Sequence, residues 1–324
     1  MSGPPFLDAD AIVAAVPIGD LVDAVEAAFR DVAAGNDRSP LRFHVPLEQG
    51  DMLLMPGVRA GGSGTSVKLV TVMPQNAARG RPTVQAVICW FDAQTGEPMA
   101  LLDGATVTAM RTGAASGVAT RLLARRDAST LTVIGAGAQA EWQVRAVQAV
   151  RPIERVLVCA RSDASRERFA QRIGRLTGLE AQAAGDTEAA VREGDVVCCA
   201  TTSETPVFDA AWLRPGAHVN GIGAFRLGMV ELPPELFEIA STVAVDSRQA
   251  AMAEAGDVVA AIERGLCAED DLVEIGSVQP EWAATRDPQA ITAFKSVGLA
   301  IQDVAAAELI VARLLAGAEA PIGE

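Results

Sequence analysis

The stretch LTVIGAGAQAEWQVRAV, residues 131–147, decides the fold prediction for this chain. It begins with an apolar run, continues through the closely spaced Gly135 and Gly137, and passes directly into a segment with helical spacing. Gly135 permits a tight turn, Gly137 lets the backbone approach a pyrophosphate, and the start of a helix offers free N–H groups to an anion. With Ala140 the pattern is G-x-G-x-x-A, which favours a dinucleotide site over a plain strand–turn–helix.

The segments around this motif predict an α/β protein with a Rossmann-type, doubly wound parallel sheet. From residue 131 onward, apolar strand-like runs alternate with helical runs, an order typical of that architecture. Upstream, residues 41–103 alternate short apolar runs with turns such as DAQTGE and predict a smaller α+β domain. Helices are expected over three further ranges: residues 8–35, 106–126 and 297–316.

Composition narrows the classes of partner. Lys plus Arg is 27 and Asp plus Glu is 41, so the formal net charge is −14. A chain this acidic is repelled by phosphate backbones and anionic lipid surfaces, so we expect neither nucleic acid nor membrane as a partner. No apolar run approaches the roughly 20 residues that span a bilayer. The chain start carries Asp8 and Asp10 and no basic region, so we expect a cytoplasmic protein without a secretion signal.

Cysteine and histidine are used in a way that predicts no metal site. The five cysteines lie mostly in apolar strand-like runs, where they are expected to be small buried hydrophobes in a reducing compartment. There are two histidines and neither a CxxC nor an HxxxH spacing, so a protein-held zinc ion is not expected.

The end of the second strand predicts which dinucleotide is bound. In VLVCARSDAS, Arg161 and Ser162 stand where an acidic residue would hold the ribose hydroxyls of NAD. A guanidinium and a hydroxyl suit a 2′-phosphate, so NADP(H) is predicted to be preferred over NAD(H). Asp163 is placed past the strand end, pointing to solvent. The alternative is that Arg161 is an ordinary surface arginine.

Three basic residues in the N-terminal half predict a carboxylate site. Lys68 lies inside the strand-like SVKLVTV, Arg42 opens RFHVPL, and Arg111 lies in the small-residue run TAMRTGAASG. Each by itself could be a surface residue with a buried stem. Together, in an acidic chain, they could bind a substrate carboxylate through an arginine fork and a lysine point charge.

The chain also resembles the ornithine cyclodeaminase/μ-crystallin family. The matching segments are spread over nearly the whole chain in the family's order, and the run from Leu102 to Thr120 is the most specific. They are VKLVTVMPQN (67–76), GEPMALLDGATVTAMRTGAASGVAT (96–120), VIGAGAQA (133–140), HVNGIGAF (218–225) followed by VEL, and FKSVGLAIQDVAAA (294–307).

The resemblance implies a homodimer that acts on a small α-amino or α-imino acid with NAD(P)(H). It implies a substrate-binding and dimerisation domain of residues 1–112 plus 298–324, and a dinucleotide-binding domain of residues 113–297. Carried over by motif, the substrate carboxylate would be held by Arg42, Lys68 and Arg111. Residues near the cofactor would be Thr83, Thr112, Ala138, Gln139, Thr201 and Ile222, with Ser296 and Val297 closing over the nicotinamide end.

One departure from the family pattern separates its subfamilies. Ornithine cyclodeaminases carry an Asp where this chain has Phe225. Phenylalanine can neither exchange a proton nor hold a distal ammonium. Glu231 and Asp246 lie further along the domain but do not occupy the motif position. The sequence therefore predicts an apolar substrate site at Phe225 and a substrate without a free distal amine.

The predicted activity is NADPH-dependent reduction of a cyclic imino acid, Δ1-pyrroline-2-carboxylate or Δ1-piperideine-2-carboxylate, to the L-amino acid. Lys68 and Arg111 are the candidate catalytic residues. The proton donor is left open between Lys68, a water molecule and His44. Alternatives are an ornithine cyclodeaminase, a linear amino-acid dehydrogenase, an opine-like N-alkyl amino acid reductase, and a non-enzymatic NADP-binding storage protein of μ-crystallin type.

Overall fold

The computed structural model of this protein describes residues 3–315, and the chain divides into two compact units. One unit runs to Arg111 and resumes at Leu299, and the other is Thr112–Gly298. These bounds lie one residue from the predicted domain bounds, while the roles assigned to the domains stay predictions. The predicted α/β class with a parallel sheet is confirmed.

The strands and the α-helices are numbered separately, each in chain order. The strands are β1 (Phe6–Leu7), β2 (Phe43–Leu47), β3 (Gly50–Val58), β4 (Gly64–Val72), β5 (Val84–Asp92), β6 (Pro98–Asp103), β7 (Thr130–Ile134), β8 (Arg155–Cys159), β9 (Glu180–Ala183), β10 (Val196–Cys199), β11 (His218–Gly221), β12 (Thr242–Val245), β13 (Leu272–Glu274) and β14 (Thr292–Lys295). The α-helices are α1 (Ala9–Ala15), α2 (Ile18–Ala33), α3 (Gly104–Leu123), α4 (Ala138–Val150), α5 (Asp163–Thr177), α6 (Thr187–Glu193), α7 (Glu235–Ile239), α8 (Arg248–Glu254), α9 (Gly256–Glu263), α10 (Trp282–Thr285) and α11 (Ala300–Leu315).

The first unit is built on a six-stranded sheet in the order β1-β6-β5-β4-β3-β2. The short β1 runs parallel to β6 and the other neighbours are antiparallel. The predicted DAQTGE turn is confirmed, since it joins β5 to β6. Helix α11 packs on α2, β3 and β4. It lies so close to β3 that a Cβ added at Gly57 would be 2.5 Å from Val304 Cγ2.

The prediction of a single helix over residues 8–35 is wrong. Asp8 caps α1 by accepting from Ala11 N, and the chain is extended at Val16 before α2 begins. The reason is Pro17, which lacks an N–H and pushes the preceding residue out of the helical region. The C-terminal helix also begins later than predicted, at Ala300, and its predicted last residue lies outside the described residues.

The second unit is built on an eight-stranded sheet in the order β13-β12-β14-β11-β10-β7-β8-β9, in which all neighbours are parallel. Its central strands read as continuous buried apolar runs because helices cover both faces of such sheets. Leu131, Val133 and Val156 are fully buried there, and each contributes about 1.5–3 kcal/mol by leaving water.

Strand β14 was missed from the sequence, although it lies in the middle of this sheet. Its four residues, Thr292–Lys295, are too few to show periodicity, and it pairs with β11 and β12, both far earlier in the chain. The strand order reverses between β7 and β10, the kind of position where parallel sheets bind ligands at the carboxyl ends of the strands. Within residues 3–315, none of the helices has the length and apolar character needed to cross a membrane.

Candidate active site

The glycine motif forms a cradle between β7 and α4. Gly135 has a φ of 119°, and a Cβ there would lie 2.5 Å from the carbonyl oxygen of Ala200, so only glycine fits. Gly137 is the N-cap of α4 and gives it no side-chain cap, and a Cβ there would meet nothing within 4 Å. Open space in front of free helix N–H groups fits a pyrophosphate. Ala138 is exposed beside it, and the buried Oε1 of Gln139 has no hydrogen-bond partner within the described part of the chain.

The end of β8 presents one exposed guanidinium. Arg161 and Ser162 are both exposed, two and three residues past Cys159. Ser162 is the N-cap of α5 and its hydroxyl accepts from Ser165 N at 3.3 Å, so helix capping already engages that oxygen. Asp163 points to solvent, as predicted, with its side chain 78% exposed. Arg161 is therefore the charged group of this segment that is best placed for a ribose phosphate.

Four more of the expected cofactor and substrate contacts follow neighbouring strands of the same sheet. Thr201 comes after β10, Ile222 after β11, and Ser296 and Val297 after β14. Because the carboxyl ends of parallel strands share one edge, these residues and Gly135 lie along a single edge of the second unit. We refer to it as the dinucleotide edge.

In the first unit, Lys68 is buried in the middle of β4. Its side chain is 1% exposed, and its partners in register are the buried Met55 and Ile88. Directly opposed residues of a sheet point to the same face, so apolar side chains flank the lysine stem. The pKa of Lys68 is lowered from its usual 10.5 to about 7, mainly by burial. Asp303 opposes this shift, whereas Arg111 and Arg42 contribute to it.

A carboxylate from α11 joins two of the predicted cations. Asp303 Oδ2 lies 2.7 Å from Lys68 Nζ, and Asp303 Oδ1 accepts from Arg111 Nε at 3.0 Å. Gln302 Oε1 accepts from Arg111 Nη1 at 2.9 Å. The two cations are thus held in fixed positions out of water, where an ionic contact to a substrate carboxylate is screened little. We call Arg42, Lys68, Arg111 and Asp303 the cationic cluster.

Asp303 was missed from the sequence. The sequence did contain a signal, because Asp303 is a charged residue in the Ala-rich apolar run AIQDVAAA. The structure shows that it is fully buried. A buried carboxylate needs a cationic or hydrogen-bonding partner, so its position indicated a buried ion pair. What the sequence did not reveal is that α11 packs against β4 and brings this residue to Lys68.

The remaining predicted residues differ in how far they are buried. Arg42 and Phe225 are half-buried, as is Thr83 directly before β5, and Thr112 is buried in α3. His44, the second candidate proton donor, lies on the edge strand β2 with its side chain 42% exposed and its Nδ1 3.7 Å from Asp51 Oδ1.

Glu231 and Asp246 are not available to replace the missing acid. Glu231 is fully buried, and it accepts from the backbone N–H groups of Thr201 and Gly223. Asp246 is 1% exposed and accepts from Val297 N, Gly298 N and Ser296 Oγ. Burial raises the pKa of both carboxyls. Both oxygens of each group are occupied by the protein's own donors.

Two further titratable side chains of the second unit, Cys198 and His218, are buried in their uncharged forms. The pKa of the buried Cys198 is raised to about 12 by burial, and His218 is kept neutral inside the sheet, its pKa lowered to about 3 mainly by burial. Among residues 3–315, there is no group of three or more His, Cys, Asp or Glu side chains arranged to hold a metal ion.

Comparison with known proteins identifies close relatives over nearly the whole chain. Residues 5–318 match the model of the ornithine cyclodeaminase/mu-crystallin family, which confirms the resemblance. A Δ1-pyrroline-2-carboxylate reductase of Bacillus cereus is 39% identical over 93% of this chain and 93% of the relative. The ketimine reductase mu-crystallin of Mus musculus is 32% identical over 90% of each chain.

Solved structures extend the comparison. The Δ1-pyrroline-2-carboxylate reductase of Thermococcus litoralis, in complex with NADH and L-proline, superposes with a TM-score of 0.90 at 34% identity, covering 97% of this chain and 98% of that one. An archaeal alanine dehydrogenase dimer with bound NAD gives a TM-score of 0.87 at 31% identity and 97% coverage of each chain.

Proposed function

Because the chain belongs to the ornithine cyclodeaminase/mu-crystallin family, we propose that it is an oxidoreductase that reduces a cyclic imino acid with NADPH. The substrates are Δ1-pyrroline-2-carboxylate or Δ1-piperideine-2-carboxylate, and the products are L-proline or L-pipecolate. The proposal rests on the cationic cluster, in which Asp303 holds the buried Lys68 and Arg111. Two neighbouring cations of this kind can bind a small carboxylate. Reductases of pyrroline-2-carboxylate among the relatives support the substrate class.

Substrate binding follows from the charges of the cluster. Arg111 offers a planar fork and Lys68 a point charge, and both are anchored before substrate arrives, so little side-chain entropy is lost on binding. Arg42 supplies a third cation near enough to lower the pKa of Lys68. The substrate carboxylate compensates this positive charge, the ring nitrogen needs a proton donor, and the ring carbons need only apolar surroundings.

The chemistry requires a hydride and a proton. When bound, the nicotinamide supplies the hydride that C2 of the imine accepts. The C=N bond becomes a C–N single bond, and the ring nitrogen takes a proton, since an iminium is the better hydride acceptor. Lys68 is the cluster's candidate donor because a pKa of about 7 lets its ammonium give up a proton near neutral pH.

Phe225 separates this proposal from ornithine cyclodeamination. The half-buried phenyl ring follows β11, at the family's motif position for an acid. A desolvated, unpaired ammonium beside it would cost several kcal/mol. With Glu231 and Asp246 both bound to backbone N–H groups, no other acid of this edge replaces it. Ornithine is therefore not a substrate in this proposal.

A substrate panel tests the proposal. Cyclic imino acids with five- and six-membered rings, and pyruvate with ammonia, are each supplied with NADPH or NADH. Ornithine is supplied with NADP or NAD. We expect turnover with a cyclic imine at about 1 s⁻¹ or faster, and no ammonia release from ornithine. Robust ammonia release would mean that the protein is an ornithine cyclodeaminase and not an imine reductase. Quenching of NADPH fluorescence without turnover would indicate a storage protein.

A linear amino-acid dehydrogenase is the second candidate function. It is favoured by the alanine dehydrogenase of Archaeoglobus fulgidus, which is 33% identical over 94% of this chain. The cationic cluster would bind the carboxylate of pyruvate or alanine equally well. Reductive amination of pyruvate faster than reduction of either cyclic imine would favour this candidate.

We also propose that the protein is a homodimer formed through β2. This strand is the edge of the first unit's sheet, and all five of its residues are exposed, including Phe43, Val45 and Leu47. An exposed apolar edge strand is a template for pairing with another chain, and β2 contains no Asp, Glu, Lys or Arg. Pro46 lacks a backbone N–H, so the other residues of β2 would donate the hydrogen bonds of the pairing. The predicted cytoplasmic location stays a prediction.

A further inference from the structure

Glu231 ties together two loops of the dinucleotide edge. Its Oε1 accepts from the N–H of Thr201, after β10, and its Oε2 accepts from the N–H of Gly223, after β11, at 2.8 Å. The Glu231 side chain is fully buried, so water does not compete for these donors. Each loop carries a residue that the family pattern places at the cofactor, namely Thr201 itself and Ile222, the neighbour of Gly223.

The two loops are in direct contact at the residues that Glu231 binds. A Cβ added at Gly223 would lie 1.8 Å from the carbonyl oxygen of Thr201 and 2.7 Å from Glu231 Oε1. The glycine loop adjoins the same place, since a Cβ at Gly135 would lie 3.4 Å from Thr201 Cγ2. The loops after β7, β10 and β11 therefore lie against one another in that order, and Glu231 binds the last two.

A buried lysine favours the ionised form of Glu231, although burial of the carboxyl disfavours it. Lys295, the last residue of β14, is fully buried and lowers the pKa of Glu231, opposing the effect of burial. Lys295 Nζ is 3.3 Å from the buried Asp257 Oδ2, which also accepts from Leu232 N, so the segment following Glu231 is fixed as well. An ionised carboxylate can accept from both loops at once, whereas an amide must turn an N–H toward one of them.

We propose that Glu231 is a positioning residue for the nicotinamide dinucleotide, which holds the loops after β10 and β11 in the spacing that the bound cofactor requires. Loops that are already ordered bind a ligand tightly, because no further conformational entropy is lost in ordering them when it binds. The role is distinct from acid–base chemistry, since both carboxylate oxygens face protein N–H groups. The inference rests on the proposed function only in taking the ligand to be a nicotinamide dinucleotide.

The test is the dissociation constant of NADPH and of NADH, measured by fluorescence titration without any imine. We expect Glu231→Gln to raise it at least about tenfold, because the amide repels one of the two loop N–H groups. In steady-state assays the KM for cofactor should rise much more than the KM for imine, since the cationic cluster is in the other unit. Gly223→Ala is a second variant, which forces the same loops apart while Glu231 stays intact, and the same loss of affinity is expected.

Asp195 offers a matched control at the opposite end of the sheet. It directly precedes β10 and is 5% exposed, and its Oδ2 accepts from two backbone N–H groups, those of Ser129 and Thr130. Unlike Glu231, it also binds two arginines, because its Oδ1 accepts from Arg125 and Arg214. Asp195→Asn should lower the melting temperature while leaving the dissociation constant of the dinucleotide within about twofold of the unaltered protein.

Equal cofactor affinity in Glu231→Gln, Gly223→Ala and the unaltered protein would overturn the inference, even if both variants were less stable. The result is separable from the proposed function. A protein that binds dinucleotide but reduces no imine would refute the reductase, and the affinity comparison would still decide the role of Glu231. An unaltered protein that binds neither dinucleotide would refute both.

Discussion

At the residue scale, Lys68 is predicted to make substrate binding depend on pH. Its pKa of about 7 lies far below the ordinary 10.5, so the ammonium is present below neutral pH and is lost as the pH rises through 7. Binding of a carboxylate should weaken in the same direction, by up to about tenfold per pH unit above that pKa. The measurement is the dissociation constant of pyrrole-2-carboxylate, whose ring nitrogen does not titrate in this range, between pH 6 and 9.

Lys68→Ala is the control for this pH dependence. It should bind the analogue about a hundredfold more weakly at pH 6, or about 2.7 kcal/mol, and show no weakening through pH 7. A pH profile of the unaltered protein that matches the profile of Lys68→Ala would mean that Lys68 does not contact the carboxylate.

Arg161 is predicted to determine the cofactor preference, at the same scale. It is exposed at the end of β8, while the neighbouring Ser162 hydroxyl already caps α5. We expect NADPH to be preferred over NADH by at least about tenfold in kcat/KM, or about 1.4 kcal/mol, the contribution of one charge-assisted contact. Arg161→Ala should remove most of this preference and leave NADH kinetics unchanged. Arg175→Ala, in the last turn of the same helix, should change neither cofactor's kinetics.

At the element scale, α11 carries the carboxylate that arranges the cationic cluster. Asp303→Asn removes the charge that raises the pKa of Lys68, so less ammonium remains at neutral pH. Binding of the carboxylate analogue at pH 7.5 should weaken by about tenfold, and its pH dependence should move to lower pH. The protein should also lose stability, because two buried cations lose their partner.

Glu308→Gln is the matched variant on the same helix. Glu308 is half-buried and lies 3.5 Å from Arg59 Nη1, outside the cationic cluster. It should reproduce any general loosening of α11 without moving the pH dependence of analogue binding. If both variants move the profile equally, Asp303 acts through the helix as a whole and not through Lys68.

At the scale of the whole molecule, β2 is the strand through which we propose that two copies of the chain pair. Phe43→Glu places a charge on the exposed apolar edge, where the native phenylalanine is 56% exposed. We expect light scattering to report a dimer for the unaltered protein and a monomer for this variant. Leu176→Glu, at a position 47% exposed on α5, should remain dimeric. A monomeric unaltered protein at micromolar concentration would contradict the proposal.

The sequence by itself determined the elements whose signals are local. The G-x-G-x-x-A spacing, the Rossmann alternation after residue 131 and the turn between β5 and β6 depend on neighbours within a few residues. Lys68 could be selected because a charge inside an apolar run is costly unless it is paired. Arg42 and Arg111 could be selected with it because grouped basic residues in an acidic chain suit a carboxylate ligand. Local signals misled at Pro17, where helical spacing on both sides concealed the break.

Only the tertiary structure decided the contacts between segments that are far apart in the sequence. Asp303 reaches Lys68 across 235 positions of sequence because α11 packs on β4, and β14 enters the sheet between β11 and β12. Glu231 and Asp246, the two acids that follow the motif position in the sequence, bind backbone N–H groups. Their roles depend on which donors lie within hydrogen-bonding distance, and folding alone brings those donors within reach.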